Sequence, residues 1–204
     1  ARLDEPAGVA IAPDGDLVIA DRQNHRIRRV DRATGVISTV AGSGRPTFDG
    51  DGKSALETAL DQPSAVAVSP EGDLYIADAM NNRVRMVDHA TGLVRTVAGD
   101  GHVAPEGRDV GDGGPATEAH LFMPSDIALA PDGALYIADM HHNRVRRVDP
   151  VTGVITTVAG SGVFGNGPDG VRAIEAKLAG PAGIALVPGP RGGLTLYVAD
   201  SYNG

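Results

Sequence analysis

Short apolar runs, separated by turn sequences, recur along the whole chain. The first two runs lie at 9–12 and 17–21, on either side of Pro13-Asp14-Gly15. Two short apolar runs joined by an Asp-Gly turn predict a β-hairpin. The same pair returns three times, at 66–69 with 74–78, at 127–130 with 135–139, and at 184–187 with 196–200. The last pair has a longer turn, from Pro188 to Gly193.

Two further runs complete the pattern in the first three repeats. In the first repeat the third run extends from Asn24 to Asp31, a Thr34-Gly35 turn follows, and the fourth run ends at Gly42. We name the four runs A, B, C and D in chain order. The pattern predicts strands at 8–12, 17–21, 26–31 and 36–41, and again 57 and 118 residues later, with no helix longer than two turns.

The proline that opens each repeat sets the period. Pro6, Pro63, Pro124 and Pro181 lie 57, 61 and 57 residues apart. Four short strands repeating at this period, with no helices between them, indicate propeller blades, because strand solenoids have shorter repeats. The sequence therefore predicts an all-β fold, a β-propeller with four-stranded antiparallel blades.

The segment Ala20-Asp21-x-x-Asn24-His25-Arg26-Ile27 resembles the NHL repeat, named for an Asn-His-Leu signature. The Pro-x-Gly-Val-Ala and Asp-Gly-x-Leu-Tyr-Ile-Ala-Asp elements match it too, and the resemblance covers essentially the whole chain. It implies NHL-type blades from a six-bladed propeller that acts as a rigid binding platform for protein or RNA. A few related propellers are lyases or lactonases. The resemblance alone favours a secreted or periplasmic location, and the residues themselves leave the compartment unknown.

Three complete blades and half of a fourth are readable in the sequence. We expect the blades at 3–59, 60–120 and 121–177, and the half-blade at 178–204. Six such blades need roughly 340 residues, so these 204 residues are expected to form an incomplete ring. Because blade faces are apolar, we expect the rest of a longer propeller, or an oligomer, to cover the open ones.

Composition and charge narrow the classes of function. Hydrophobic residues make up 42% of the chain and charged residues 22%, which is typical of a globular domain. No apolar run has the length of a membrane span. A net charge of −8 argues against a nucleic-acid backbone as the partner. The absence of cysteine excludes thiolate metal sites and cysteine nucleophiles.

The long D–A connections share a second pattern, Asp-Gly-x-x-Ala-x-Glu-x-x-Leu, which begins at Asp51, Asp112 and Asp169. An Asp before an Ala/Glu/Leu stretch predicts that each Asp caps one or two helical turns. The alternative is calcium, because Asp49-Gly50-Asp51-Gly52 and Gly111-Asp112-Gly113 place carboxylates on turns. We expect no cofactor, with calcium as this alternative.

The B–C and D–A loops of a propeller lie at one rim, where ligands usually bind. Residues present in every blade are expected to build the blade, and these are Asp21, Asp78, Asp139, Asp200, Arg26, Arg83 and Arg144. Residues that differ between blades are the candidates for contact with a protein or small-molecule ligand. They are Arg22, Asn24, His25, Met80, Asn81, Met140, His141 and His142. We interpret His141 and His142 as surface histidines, with a metal site as the alternative.

The alternative function is a metal-dependent lyase or lactonase whose active residues lie partly outside this chain. The NHL-like peptide-amidating lyase carries a zinc-binding His after the opening proline, where this chain has Ala7, Ser64, Ser125 and Ala182. Related lactonases hold calcium near the channel axis, and in the A strands only Asp126 offers a carboxylate there. We therefore assign no catalytic and no metal-binding residues, and favour an interaction module.

Overall fold

The computed structural model describes residues 1–104, 110–189 and 193–203. The chain divides into two compact units, residues 1–97 and 98–204. No helix within the described ranges combines the length and apolar character needed to cross a membrane.

The first unit contains two four-stranded antiparallel sheets, the second of which ends at the unit boundary. The first sheet consists of β1 (Pro6–Ile11), β2 (Leu17–Asp21), β3 (Arg26–Val30) and β4 (Ile37–Ala41). The second consists of β5 (Pro63–Val68), β6 (Leu74–Asp78), β7 (Arg83–Val87) and β8 (Val94–Ala98). In both sheets the strands lie side by side in chain order, so β1 and β5 are A strands and β4 and β8 are D strands.

The second unit repeats this arrangement. A four-stranded sheet consists of β9 (Pro124–Leu129), β10 (Leu135–Asp139), β11 (Arg144–Val148) and β12 (Ile155–Ala159). A hairpin follows, formed by β13 (Pro181–Pro188) and β14 (Leu194–Asp200). Short 3₁₀ helices in the described residues of the two units lie at Arg22–Asn24, Ala79–Asn81, Met140–His142, Ala116–Glu118 and Ala173–Glu175.

The predicted fold class is confirmed, because the described chain is all-β and its sheets are antiparallel blades. The strands β2, β6 and β10 have the predicted bounds, whereas β14 begins two residues before the run at 196–200. Each A strand begins at its opening proline, two residues earlier than predicted for β1. No described helix exceeds three residues. The long turn from Pro188 to Gly193 includes residues 190–192, which lie outside the described residues. The blade limits at 3–59, 60–120, 121–177 and 178–204 stay a prediction.

The B strands form the centre of each blade because their side chains are apolar on both faces. In β6, Ile76 and Ala77 have no exposed surface, and in β10 the same is true of Ile137 and Ala138. A strand that is buried on both faces has a continuous apolar sequence instead of an alternating one. The Leu-Tyr-Ile-Ala-Asp sequence therefore forms a central strand in both sheets.

The two sheets of the first unit pack against each other through small side chains. At equivalent positions of the A strands, Val66 is 5% exposed whereas Val9 is 65% exposed, since β5 is covered by the first sheet. Gly8 allows the closest approach: a Cβ atom there would lie 2.7 Å from Ala65 Cα and 2.8 Å from Ser64 O. The A strands can approach this closely because glycine has no side chain.

The first two D–A connections pair with the outer strand of the following sheet. The amide of Gly52 donates to Val94 O at 2.8 Å, and the amide of Val94 donates to Lys53 O at 2.9 Å. In the second unit Pro115 forms the equivalent bridge with Val154. The connection thus covers the sheet edge, which would otherwise present unpaired backbone groups.

The prediction that Asp51, Asp112 and Asp169 cap helical turns was wrong. The 3₁₀ helices at Ala116–Glu118 and Ala173–Glu175 begin after Pro115 and Arg172, without a side-chain cap. No helix follows Asp51 within its described connection. Bridging to the next sheet holds the connection extended at this point, so the carboxylates of Asp51 and Asp112 face that sheet instead. Ala55, Leu60, Ala116 and Leu121 of the first two connections are buried, whereas Ala173 of the third is exposed.

Candidate binding rim

The B–C loops share one backbone conformation. Each consists of a three-residue 3₁₀ helix followed by a residue in the left-handed region, with φ of 54° at His25, 52° at Asn82 and 53° at Asn143. His and Asn adopt this region more readily than most residues other than glycine. Because three loops of different sequence share this geometry, their variation changes the side chains and leaves the backbone unchanged.

A buried aspartate at the end of each B strand fastens this loop to the D–A connection. Asp78 Oδ1 accepts the amide of Asp61 at 2.7 Å, and Asp139 Oδ1 accepts the amide of Phe122 at 2.8 Å. Asp21 and Asp200 make the same bond, with the amides of Asp4 and Ala179. The expectation that these four aspartates are structural is confirmed.

The third loop residue donates a second hydrogen bond to the same aspartate. Asn24 Nδ2 and Asn81 Nδ2 each lie 2.9 Å from their aspartate, and His142 Nδ1 lies 2.8 Å from Asp139 Oδ2. Asn203 makes the equivalent bond with Asp200. Asn24, Asn81 and His142, all proposed as rim contacts, therefore have side chains that also hold the loop.

His142 is not the surface histidine that we expected. It is 8% exposed, because Phe122 packs edge-on against its ring with the centroids 6.0 Å apart. Its Nε2 atom is buried and has no hydrogen-bond partner among the described residues. His141 is exposed, as expected.

The second arginine of each C strand contacts the same aspartate from below the loop. Arg85 Nη1 lies 3.5 Å from Asp78 and Arg146 Nη1 lies 3.3 Å from Asp139, while Arg28 is 3.9 Å from Asp21. Burial outweighs the donors around Asp78 and raises its pKa to about 6. We had singled out the first arginine of each strand instead. The two-residue strand period places both arginines on one face of the sheet and could have indicated the second.

The first arginines hold the loop after the D strand. Arg26 Nη2 donates to Ser43 O at 3.2 Å, and Arg144 Nη2 donates to Ser161 O at 3.1 Å. In the second sheet Arg83 instead stacks on Phe48, with its guanidinium carbon 3.8 Å from the ring centroid. Their predicted structural role agrees with these contacts.

One loop position is fixed at its backbone, and it is occupied by Gln23, which is half-buried, and by Met80, His141 and Tyr202, which are exposed. Their amides donate to carbonyls of the segment that precedes the A strand at 3.1, 3.1, 3.2 and 3.0 Å. Met80 is 44% exposed and Tyr202 62%. We call these four residues the presented positions. Met80 and His141 were predicted as rim contacts. Gln23 and Tyr202 were not, although an alignment of the four loops by their shared Asp indicates both.

The remaining predicted rim residues are partly engaged inside the fold. Arg22 Nη2 donates to Gln62 Oε1 at 3.1 Å, and the amide of Gln62 donates to His25 Nδ1 at 3.1 Å. Asp61 lies 3.5 Å from the same nitrogen. Met140 is half-buried near Gly180. Arg22 and His25 thus link the first two blades, and their contact with a ligand stays a prediction.

The polar A-strand residues lie between neighbouring strands. Ser125 Oγ donates to Pro181 O at 2.8 Å. Asp126 accepts the amide of Ile184 at 2.7 Å and that of Ile127 at 2.9 Å, and burial raises its pKa. Asp126 therefore joins β9 to β13, at the place where the lactonase alternative would require a calcium ligand.

The carboxylates considered for calcium are paired with cations of the protein. Asp51 Oδ1 lies 2.8 Å from Arg85 Nη2, and Asp112 Oδ1 lies 2.7 Å from Arg146 Nη2. Asp49 lies 2.9 Å from Lys53 Nζ. A search of the described ranges for three or more His, Asp or Glu side chains arranged around a metal finds none.

A protein-family comparison decides the family. The family described as Teneurin NHL domain matches residues 1–88 and 89–167. The chain belongs to this NHL family. The NHL assignment that the sequence suggested is therefore confirmed.

Curated relatives of this NHL domain are much longer proteins. The chloroplastic protein Suppressor of Quenching 1 of Arabidopsis thaliana is 31% identical over 98% of this chain and 19% of its own length. Teneurin-m of Drosophila melanogaster is 36% identical over 72% of this chain and 6% of its own length. The NHL chain thus spans a fifth or less of these relatives.

Solved structures agree on the fold of the NHL chain. An auxiliary nutrient binding protein from Bacteroides ovatus superposes with a TM-score of 0.63 at 18% identity, covering 98% of this chain and 46% of that one. A virginiamycin B lyase from Staphylococcus aureus superposes with a TM-score of 0.54 at 14% identity, covering 96% and 48%. At such identities the likeness shows the propeller fold alone.

Proposed function

We propose that this NHL domain is a binding module whose B–C loops contact a protein partner through the presented positions, Gln23 and Met80 in the first unit and His141 and Tyr202 in the second. The observation that carries the proposal is the constant backbone anchor beneath four different side chains, three of which are exposed. The same position of this loop is occupied by an amide in Gln23, a thioether in Met80, an imidazole in His141 and a phenol in Tyr202. Structural roles keep the residue constant, as with the aspartates, so variation at an exposed and anchored position favours recognition.

The chemistry of the presented side chains favours a protein over a small polar ligand. Methionine adapts its shape to apolar partners, and tyrosine gives a large contact area with a polar end. Both residue types are enriched in protein interfaces.

Anchoring of the loops lowers the entropic cost of binding. In the second blade, Asp78 accepts hydrogen bonds from the amide of Asp61 and from the side chain of Asn81. The carbonyl of Asp61 in turn accepts the amide of the presented residue Met80. Because this backbone is already ordered, complex formation has to immobilise only the side chains. B–C loops with a constant backbone and variable presented positions suit a domain whose homologues bind different partners.

The proposal is tested by comparing two sets of substitutions on the same chain. The rim variant replaces Gln23, Met80, His141 and Tyr202 by serine. The control variant replaces Val36, Leu93 and Val151, also by serine. These residues are 61%, 45% and 90% exposed and lie in or beside the C–D turns, at the opposite end of the blades from the B–C loops. Matched melting temperatures establish that both are folded.

The readout is the binding of a partner isolated with the wild-type domain and then purified. We expect calorimetry to show that the rim variant binds the partner at least tenfold more weakly than the wild type. The affinity of the control variant should stay within about twofold of the wild-type value. Loss of binding in the control variant, with binding retained in the rim variant, would contradict the proposal.

A further inference from the structure

A cavity of about 400 Å³ lies between the two sheets of the first unit, at the end where the A–B and C–D turns are found. We call it the turn-side cavity. Its walls include Val18, Val40 and Ala55 on one side and Val68, Leu74 and Val87 on the other. It lies at the opposite end of the strands from the presented positions, so it forms no part of the proposed rim.

The cavity exists because the side chains between the sheets are small. Before residue 98 the sequence contains only Phe48 and Tyr75 as aromatic residues, and neither lines the cavity. Gly72 and Gly92, which line it at the turns, have no side chain to fill it. Protein interiors are otherwise packed as densely as organic crystals. A space of this size falls within the range of small-molecule sites, of about 300–1,000 Å³.

Charged residues surround the opening of this apolar space. Asp14 and Arg29 border it from the first sheet, and Asp88 and His89 border it from the second. Arg29 pairs with Asp14 and also with Asp16, whose Oδ2 lies 2.6 Å from Arg29 Nε. The one guanidinium at the opening is therefore shared by two carboxylates.

Among the described residues Asp88 has no cation at ion-pair distance, although the charge of Arg95 acts on it from farther away, and the sequence shows why a close partner is missing. The blades carry Arg29, Met86 and Arg147 at the same position of their C strands. Arg147 lies 3.2 Å from Asp149, the counterpart of Asp88, whereas methionine brings no charge to Asp88. No ion pair to Asp88 is found in the described part of the chain.

Asp88 is nevertheless ionised at neutral pH. The amide of Thr91 donates to its Oδ1 at 2.7 Å, and Thr91 Oγ1 donates at 2.8 Å. These bonds lower the pKa of Asp88. Burial raises the pKa of nearby Tyr75, and Asp73 and Glu71 add to this rise while Arg95 opposes it.

We propose that the turn-side cavity binds a hydrophobic amine, with its apolar body between Val18 and Val40 on one wall and Val68 and Leu74 on the other, and its ammonium group against the carboxylate of Asp88. An apolar space of this kind favours an alkyl or aryl group, since filling it removes apolar surface from water. The unpaired carboxylate selects the sign of the polar end. An anionic ligand of the same shape would be repelled by the carboxylate of Asp88.

The probe is phenylbutylamine, with phenylbutyrate and phenylbutanol as ligands of similar shape but negative and zero charge. We expect the amine to cause saturable shifts in the methyl NMR signals of Val68, Leu74 and Val87. We expect its affinity to exceed that of phenylbutyrate by at least tenfold, and to fall as salt is added because the carboxylate lies at the opening.

Two variants and one control complete the test. Asp88→Asn should lower the affinity for the amine about tenfold, to that of the alcohol, and Val68→Phe should remove binding by filling the space. Asp149→Asn changes the matching turn of the third blade and should have no effect. Equal binding of amine and phenylbutyrate, an unchanged affinity in Asp88→Asn, or shifts confined to other methyl groups would each overturn the proposal. The rim experiment above is independent of all these results.

Discussion

Arg146 Nη2 lies 2.7 Å from Asp112 Oδ1, although 34 residues separate them in the sequence and the arginine side chain has no exposed surface. The same guanidinium contacts Asp139 at 3.3 Å. Arg85 is held in the same way between Asp51 and Asp78. A buried cation between two carboxylates thus joins the loop at the strand B terminus to the connection that precedes the blade.

Asp112→Ala is expected to destabilise the domain by about 2–4 kcal/mol, because it leaves a buried arginine with one carboxylate instead of two. Chemical denaturation measures the change. Asp169→Ala is the control, since Asp169 is exposed and forms no ion pair in the described residues; its effect should stay within about 0.5 kcal/mol. Equal effects of the two substitutions would contradict the role of this ion pair.

Calcium should leave the melting temperature of the wild-type domain unchanged, because Asp51 and Asp112 already pair with buried arginines. Scanning calorimetry with calcium and with a chelator checks this expectation. A rise of several degrees in the wild type that is absent in Asp112→Ala would show that a cation competes with Arg146 for the carboxylate.

Short-range sequence features predicted the strands, but they could not predict contacts between residues far apart in the sequence. The Asp-Gly turns and the Leu-Tyr-Ile-Ala-Asp runs specify hairpins within about ten residues, so β6 and β10 were found with their observed bounds. Asp51 was misread as a helix cap because a cap and a partner for a distant arginine have the same local sequence. Only the pairing of Gly52 with Val94 places Asp51 beside Arg85.

The sequence predicted where the rim lies but only some of the residues that form it. Alignment of the repeats indicated which loop varies, and Met80 and His141 are exposed there. Asn24, Asn81 and His142 occur in the same loop, yet their donors are directed to aspartates. Variation from Asn to His hid this shared role, because both side chains can donate the same hydrogen bond.

The stability contributed by Asp78 should fall as the pH rises. Its pKa of about 6 in the folded chain exceeds the ordinary value of 3.8 because of burial. The folded state therefore binds the proton more tightly, so this contribution is complete below about pH 4 and is lost as the pH rises through about 6. The difference corresponds to about 3 kcal/mol.

Urea denaturation of the wild type and of Asp78→Asn between about pH 4 and 7 isolates this group, since asparagine does not titrate. The wild type should lose free energy of unfolding relative to the variant as the pH rises. A difference that stays constant or grows in favour of the wild type would show that Arg85, and not burial, controls the pKa of Asp78.

Gly8→Ala is expected to destabilise the first unit by about 1–3 kcal/mol, because the new methyl group would overlap Ala65 and force the A strands apart. Gly183 occupies the same place in β13, and a Cβ atom there would lie 3.6 Å from its nearest neighbour. Gly183→Ala should therefore change the free energy of unfolding by less than about 0.5 kcal/mol. If denaturation gave the two variants equal stability, close A-strand packing at Gly8 would not be the constraint.

His142→Asn should change stability by less than about 1 kcal/mol, whereas His142→Leu should cost about 1–3 kcal/mol. The side chain of Asp139 has no exposed surface and accepts hydrogen bonds from Phe122, Arg146 and His142. Asparagine at this position retains the donor, as Asn24 and Asn81 do in their blades, and it removes the unpaired Nε2 of the histidine. It also loses the edge contact with Phe122, which offsets part of that gain.

Leucine at position 142 keeps apolar volume against Phe122 but leaves the buried carboxylate of Asp139 one hydrogen-bond donor short. The ranking of the two variants therefore separates hydrogen bonding from packing. Denaturation in urea measures both variants, and a leucine variant as stable as the asparagine variant would show that His142 stabilises the loop by packing alone.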